Sequence, residues 1–324
     1  MCNTQNDRVT IIFNLKIEIM KTSIFIVLLT FAFLQVKAQD YVDIIKLSSN
    51  NTTMGNDQND YKTGIYNQNL QLYYPIRASE SLVVLTGFTV ENTSLNLFQG
   101  ADRGNLLMTR LNLGIKHQHS EKWSGTYLFL PKIASDFKKI GGQDFQFGGL
   151  GLLGYQVSET WQIKFGVYVS SENHGSTITP LIGVWHRSKN EKFYINATLP
   201  IRMDMNYAIT KAFSMGLGLL TSVKSYNLSG NGGGLYVQEE SIRASLYASY
   251  GFLDNSLILR VRGGFDTSEY GLYNSDDRIG GQILTFPVSG DNRDRLNPDF
   301  NAAFYFGGDL IYRFDLRKEK KKKK

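Results

Sequence analysis

One cysteine, six prolines and no long apolar run past residue 40 are the scarcities of this 324-residue chain. A lone cysteine, Cys2, excludes a disulfide scaffold and any zinc or iron–sulfur site built on thiolates. Short apolar runs exclude a polytopic helical membrane protein. Past residue 40 no segment carries a helical stripe of apolar residues three and four apart. Charge is only mildly unbalanced, with 35 Lys and Arg against 29 Asp and Glu, a formal +6. What abounds is 18 Tyr, 20 Phe and 31 Gly, a mixture that favours strands and turns.

The N-terminus carries its own signal. Ile24 to Leu34 is apolar, Lys21 precedes it, and Val36-Lys37-Ala38 follows with small residues at the right spacing. Such a pattern reads as a Sec signal peptide cleaved after Ala38, too short and without the flank of a membrane anchor. Met20-Lys21 is the natural start of this leader, so residues 1–19 read as a mis-called upstream extension. The expected organisation is a leader region over 1–38, a barrel domain over 39–316 and a disordered Lys-rich tail over 317–324.

Setting leader and tail aside changes the charge. The leader holds Arg8, Lys16, Lys21, Lys37, Asp7 and Glu18, and the tail holds seven basic residues with Glu319. The body between them keeps 24 basic and 26 acidic residues, a net −2. Nucleic acid is therefore not an expected partner. The tail reads as a solvated terminus, or as a contact for anionic headgroups or the cell wall.

From residue 40 onward the hydropathy has period two. Leu107-Thr109-Leu111-Leu113-Ile115 alternates with Met108, Arg110, Asn112, Gly114 and Lys116. Trp161-Ile163-Phe165-Val167-Val169 alternates with Gln162, Lys164, Gly166, Tyr168 and Ser170, and the pattern recurs to Phe300–Phe314. Successive side chains of a strand point to opposite faces, so each segment has an apolar and a polar face. Short polar turns (Ala78–Ser81, His119–Lys122, Ser158–Thr160, Ser188–Lys192, Thr210–Ala212, Asp254–Ser256) alternate with longer Gly-, Asn- and Asp-rich connections. Thr267 to Asp299 is the longest. Short turns on one rim and long loops on the other predict a transmembrane antiparallel up-and-down β-barrel of the outer-membrane type. Trp123, Tyr127, Tyr155, Trp161, Phe193, Phe252 and Tyr312 stand near segment ends, where interfacial girdles belong.

Thirteen segments are visible, whereas bacterial single-chain barrels have an even number. Splitting 193–209 at Pro200, which cannot donate to a ladder, gives fourteen strands, although each half is short for a crossing. Dropping 41–48 gives twelve as the alternative. A soluble sandwich also shows alternation, but does not account for leader, loop asymmetry and terminal aromatics together.

The last segment ends Leu310-Ile311-Tyr312-Arg313-Phe314 after Gly307-Gly308. It resembles the C-terminal signal read by the barrel-assembly machinery, with Asp315–Lys324 following as a departure. The mature chain as a whole resembles the Bacteroidetes-type outer-membrane β-barrels of unknown activity. That resemblance implies export, an outer-membrane location, and outer-membrane lipids and the assembly machinery as partners; it implies no reaction.

Candidate chemistry is sparse. Gly149-Leu150-Gly151-Leu152-Leu153-Gly154 matches a dinucleotide fingerprint as a string but lies inside a strand with no helix after it. No cofactor is expected, and His117-Gln118-His119 lacks a third metal ligand. Glu172, His174 and Ser176 form the one local cluster suited to a hydrolase or acyltransferase at the barrel rim. With the apolar parity on lipid, Arg110, Lys116, Asp144, Lys164, Arg202, Asp204, Arg243, Arg260, Arg262, Asp309 and Arg313 line the interior. Eight basic against three acidic residues favour anions; mutual pairing that merely fills the barrel is the structural alternative. The expected function is a passive channel or a scaffold, with a lipid-modifying enzyme as the alternative and Thr267–Asp299 as the candidate plug.

Overall fold

The computed structural model describes residues 41–56, 61–229, 234–288 and 290–315. The leader and the lysine tail lie outside them. Each alternating segment becomes a strand: β1 Tyr41–Gly55, β2 Lys62–Arg77, β3 Leu82–Leu95, β4 Gly104–Gln118, β5 Trp123–Ser135, β6 Phe145–Ser158 and β7 Trp161–Glu172. Then come β8 Gly175–Arg187, β9 Phe193–Leu199, β10 Arg202–Ala208, β11 Phe213–Leu228, β12 Leu235–Phe252 and β13 Leu257–Asp266. The long connection holds β14 Glu269–Asn274, β15 Gly281–Ile283 and β16 Phe286–Pro287, and β17 Ala303–Asp315 is last.

β1 to β13 and β17 pair antiparallel, each with its neighbour, and β17 pairs with both β13 and β1, from Tyr41↔Asp315 to Thr52↔Tyr305. The result is a closed fourteen-stranded barrel, and closure leaves no free sheet edge at the seam. The division at Pro200 holds: β9 and β10 are separate strands of seven residues each, joined through Pro200 and Ile201. The Gly149–Gly154 string lies within β6, as expected of a strand.

Local chemistry fixes the short turns. Ser79, Ser120, Ser188 and Thr210 each accept, on the hydroxyl oxygen, the amide of the residue that opens the next strand, at 2.9 to 3.2 Å. Side chain-to-backbone bonds of this kind compete with the ladder and so end it. Outside, alternate residues are apolar and exposed, among them Leu111, Leu113, Ile163, Phe165, Leu246, Phe304 and Phe306. Aromatic rows flank them. Trp123 packs on Tyr155 at 4.9 Å and Trp161 on His186 at 4.0 Å at the short-turn rim. Phe129 stacks on Phe147, and Phe265 meets Phe304, toward the loop rim.

The core lies inside the barrel, at the loop end. Beyond Leu220, β11 leaves its partner β10, and β11, β12 and β14 continue together as a three-stranded sheet with Tyr226↔Val237↔Leu272 in register. Both faces of this extension are buried. One face sets Tyr226, Val237, Tyr270 and Leu272 against Met54, Ile65, Leu95, Leu106 and Met108 of the wall. The inserted element expected from sequence was the long connection. To the sheet it supplies β14, with Arg293 bonded to Gln238 and Asn297 to the Leu272 amide, but the larger part of the sheet is the continuation of two wall strands.

Candidate functional site

Of the eleven residues expected to line the interior, the ten on strands lie opposite in parity to the exposed apolar residues of their strands, and Asp144, in a short 3-10 turn before β6, is buried against Asn227. They divide into two tiers. In the tier toward the short turns, Asp309 pairs with Arg262 and lies 3.7 Å from Lys46. Arg313 grips Asp43 with Nε at 2.6 Å and Nη2 at 3.1 Å, while its guanidinium caps the Tyr41 ring. Asp204 accepts bonds from Tyr194 (2.9 Å) and Tyr247 (2.6 Å). Arg260 bonds Ser249 at 3.0 Å and stacks on the Tyr247 ring at 3.9 Å.

Five cations of this set have no carboxylate within ion-pair distance among the described residues: Arg260, held by Ser249 and the Tyr247 ring, and Arg110, Lys116, Lys164 and Arg202. Arg110 donates to Asn112 (3.1 Å) and Lys164 to Asn196 (2.5 Å). Arg202 is exposed, and Lys164 has both Lys116 and Arg202 as electrostatic neighbours.

The tier at the loop end latches the inserted sheet. Lys224 of β11 is bonded to Glu91 of β3 and lies 3.5 Å from Glu239 of β12. Arg243 donates to Asp266 at 2.9 Å, and Glu91 also accepts from Asn67 and Asn69. On the other face of the sheet, Glu172 accepts the Ser225 amide (2.8 Å) and hydroxyl (2.9 Å), together with Lys132 (2.5 Å) and Ser170 (2.5 Å). Asp144 accepts from Asn227 at 2.7 Å. A buried carboxylate is tolerated only when its oxygens are bonded and its charge is matched, and here both conditions hold for Glu91 and Glu172. The reading from sequence missed Lys224, Glu91, Glu239 and Lys132. The signal was present in Gln238-Glu239-Glu240-Ser241, four polar residues in a row that leave no residue for lipid.

The cluster Glu172, His174 and Ser176 is not brought together. Glu172 and His174 are buried, and the His174 Nε2 meets Thr177 Oγ1 at 3.2 Å. Ser176 is exposed on the opposite face, paired with Gly281 of β15. Gly175, at φ +134°, resets the alternation, so His174 shares a face with Thr177 and not with Ser176. His117 and His119 do share a face, with Nδ1 atoms 3.0 Å apart. Among the described residues, no three His, Cys, Asp or Glu side chains are grouped to hold a metal.

No curated protein matches the chain. Among solved structures it is similar to an outer-membrane channel from Pseudomonas putida F1, at 10% identity and TM-score 0.45, covering 87% of this chain and 98% of that one. It is similar to the Pseudomonas putida toluene transporter TodX at 10% identity and TM-score 0.37, with 86% and 90% covered. It is similar to the translocator domain of the autotransporter NalP from Neisseria meningitidis at 9% identity and TM-score 0.38, with 95% and 98% covered. A family model matches residues 32–277, and the chain belongs to that family, described as a domain of unknown function, DUF6268.

Proposed function

We propose that this protein is an outer-membrane channel for anionic solutes, held shut at its loop end by the β11–β12–β14 sheet. The observation that carries the reading is the set Arg110, Lys116, Lys164 and Arg202. These cations face the lumen without a carboxylate partner among the described residues. An unpaired charge sealed in dry protein is expensive, whereas one in a water-filled lumen that admits anions is not. Support for the membrane is the outer wall. Leu246, Ile182, Phe304 and Phe306 are each at least 65% exposed within a continuous apolar surface, far beyond what a soluble monomer presents to water. The leader would deliver the chain to the periplasm. The β17 segment Leu310–Phe314, at the seam of the barrel, would be the part read by the assembly machinery.

The test is the reversal potential of the purified barrel in a planar bilayer under a salt gradient. Anion preference is expected, reduced in the Lys164→Gln/Arg202→Gln variant. Cation preference would refute the reading, and a folded barrel that never conducts would leave a scaffold.

A further inference from the structure

The outer face at the short-turn rim carries two imidazoles side by side. β4 runs into His117-Gln118-His119, and alternation puts both histidines outward, on the parity of the exposed Leu111, Leu113 and Ile115. The backbone there is pinned. His119 N donates to Trp123 O at 2.9 Å, and the Gln118 side chain donates to Ser120 O at 2.7 Å. Across the ladder from His117 stands Gly125 of β5, where an added Cβ would lie 2.5 Å from His119 Nε2 and 2.6 Å from the Tyr127 hydroxyl. The His119 ring lies over this glycine, in space that any side chain would take.

The two Nδ1 atoms are 3.0 Å apart and the ring centroids 4.7 Å, with 66° between the planes. These lengths decide how the nitrogens are aimed. Rings meeting head-on across that gap, as in a linear hydrogen bond, would hold their centroids about 5.3 Å apart. Rings aimed at one cation about 2.0–2.1 Å from each nitrogen would hold them about 4.7 Å apart, with an angle of about 91–97° at the cation. The second arrangement matches. The far nitrogen of one ring is also held: His119 Nε2 meets the Tyr127 hydroxyl at 3.1 Å, edge to face with its ring. Such a bond on the remote nitrogen orients a ligating imidazole and, where Nε2 is the donor, leaves Nδ1 as a free lone pair. An angle near 90° suits neighbouring positions of a tetragonal cation and is narrow for tetrahedral zinc. Among cations of that geometry, copper(II) binds imidazole most tightly. Two protein nitrogens leave the remaining positions to water, which makes this a site of uptake and release and not a closed structural centre.

We propose that His117 and His119 form a copper(II) site on the outer face of the short-turn rim. Tyr127 is its positioning residue, and Gly125 supplies the room for His119. Copper enters on the two Nδ1 lone pairs, and a proton shared between them leaves to water. The site lies outside the lumen and does not depend on the anion path.

The folded barrel, without an affinity tag and in detergent micelles, is titrated with copper(II) chloride in a buffer that does not coordinate the metal, and followed by electron paramagnetic resonance. The first equivalent should give an axial signal split by two imidazole nitrogens. Tyr127→Phe, which removes only the orienting bond, should weaken binding about tenfold and keep both nitrogens in the signal. His117→Gln and His119→Gln should each weaken it further and lose the two-nitrogen pattern. Gly125→Ala, which displaces the His119 ring, should do the same. His186→Gln is the control: its ring stacks on Trp161 and bonds Thr160 O, and its loss should change neither affinity nor signal. Each variant is checked for the heat-modifiable gel shift of a folded barrel. A two-nitrogen signal that persists in the folded His117→Gln/His119→Gln variant overturns the site, as does a wild-type barrel that takes up no copper or binds zinc more tightly.

Discussion

Lys224 on β11 is bonded to Glu91 on β3, across the lumen from one side of the wall to the other. The same ammonium lies 3.5 Å from Glu239 on the neighbouring β12, so one cation joins the inserted sheet to β3, a strand that β11 does not meet in the ladder. In the proposed closed channel this tie is what seats the sheet, because a buried cation left without its carboxylates costs far more than displaced apolar packing.

Lys224→Met leaves Glu91 and Glu239 short of a cation inside the barrel. Breaking a buried pair from one side costs about 3–5 kcal/mol, so the seat of the inserted sheet weakens by that order while the wall keeps its ladder. Hydrogen exchange at the Tyr226 and Val237 amides should accelerate, with exchange in β2 to β4 unchanged. The double variant with Glu91→Gln should lose less than the two single losses combined, since the partners share one interaction.

His174 makes the docked connection sensitive to acid. It sits in the two-residue turn between β7 and β8, where burial holds its imidazole down to about 4 from an ordinary 6.5. Glu172 on β7 and Asp291 on the connection oppose that shift, and Arg293 and Lys132 reinforce it. With the docked pKa depressed, the released form takes up a proton first. Docking is therefore fully stable above pH 6.5 and loses on the order of 3 kcal/mol as pH falls to about 4. Exchange of the Ile279 amide, bonded to His174 O, should rise through that window. His174→Gln should flatten the profile; an unchanged profile would assign the effect to another group.

Leu246 tests the outer face. It is 65% exposed at mid-strand on β12, beside Leu217 and Gly263. Leu246→Arg should cost about 2–4 kcal/mol in lipid vesicles, as an arginine facing the bilayer midplane does, read as a lower urea midpoint for unfolding from vesicles. In detergent-free water-soluble protein the same change would be neutral or favourable.

The strands were legible because lipid outside and water inside impose alternation on every crossing, and Pro200 marked where one segment becomes two. The ten inward residues that lie on strands followed from parity alone, whereas Asp144 sits in the turn before β6. The inserted sheet did not follow from parity: Ser225 and Asn227 on β11 and the polar run Gln238–Ser241 on β12 depart from a lipid-facing pattern, but Lys224, the cation between Glu239 and Glu91, is 133 positions from Glu91 in sequence. The Glu172–Ser176 cluster misled for a local reason. Strict alternation would put His174 and Ser176 on one face, but the left-handed backbone at Gly175 turns them apart. The β15 hairpin carries only three paired residues against β8, too few to read from sequence.

Single-channel recording in a planar bilayer, comparing the wild-type barrel with Lys224→Met under one salt gradient, tests the closed-channel account most directly. The account predicts rare openings in the wild type, frequent or sustained openings in the variant, and anion-selective reversal potentials in both. A folded Lys224→Met barrel that stays as silent as the wild type, or that opens with cation selectivity, would contradict it.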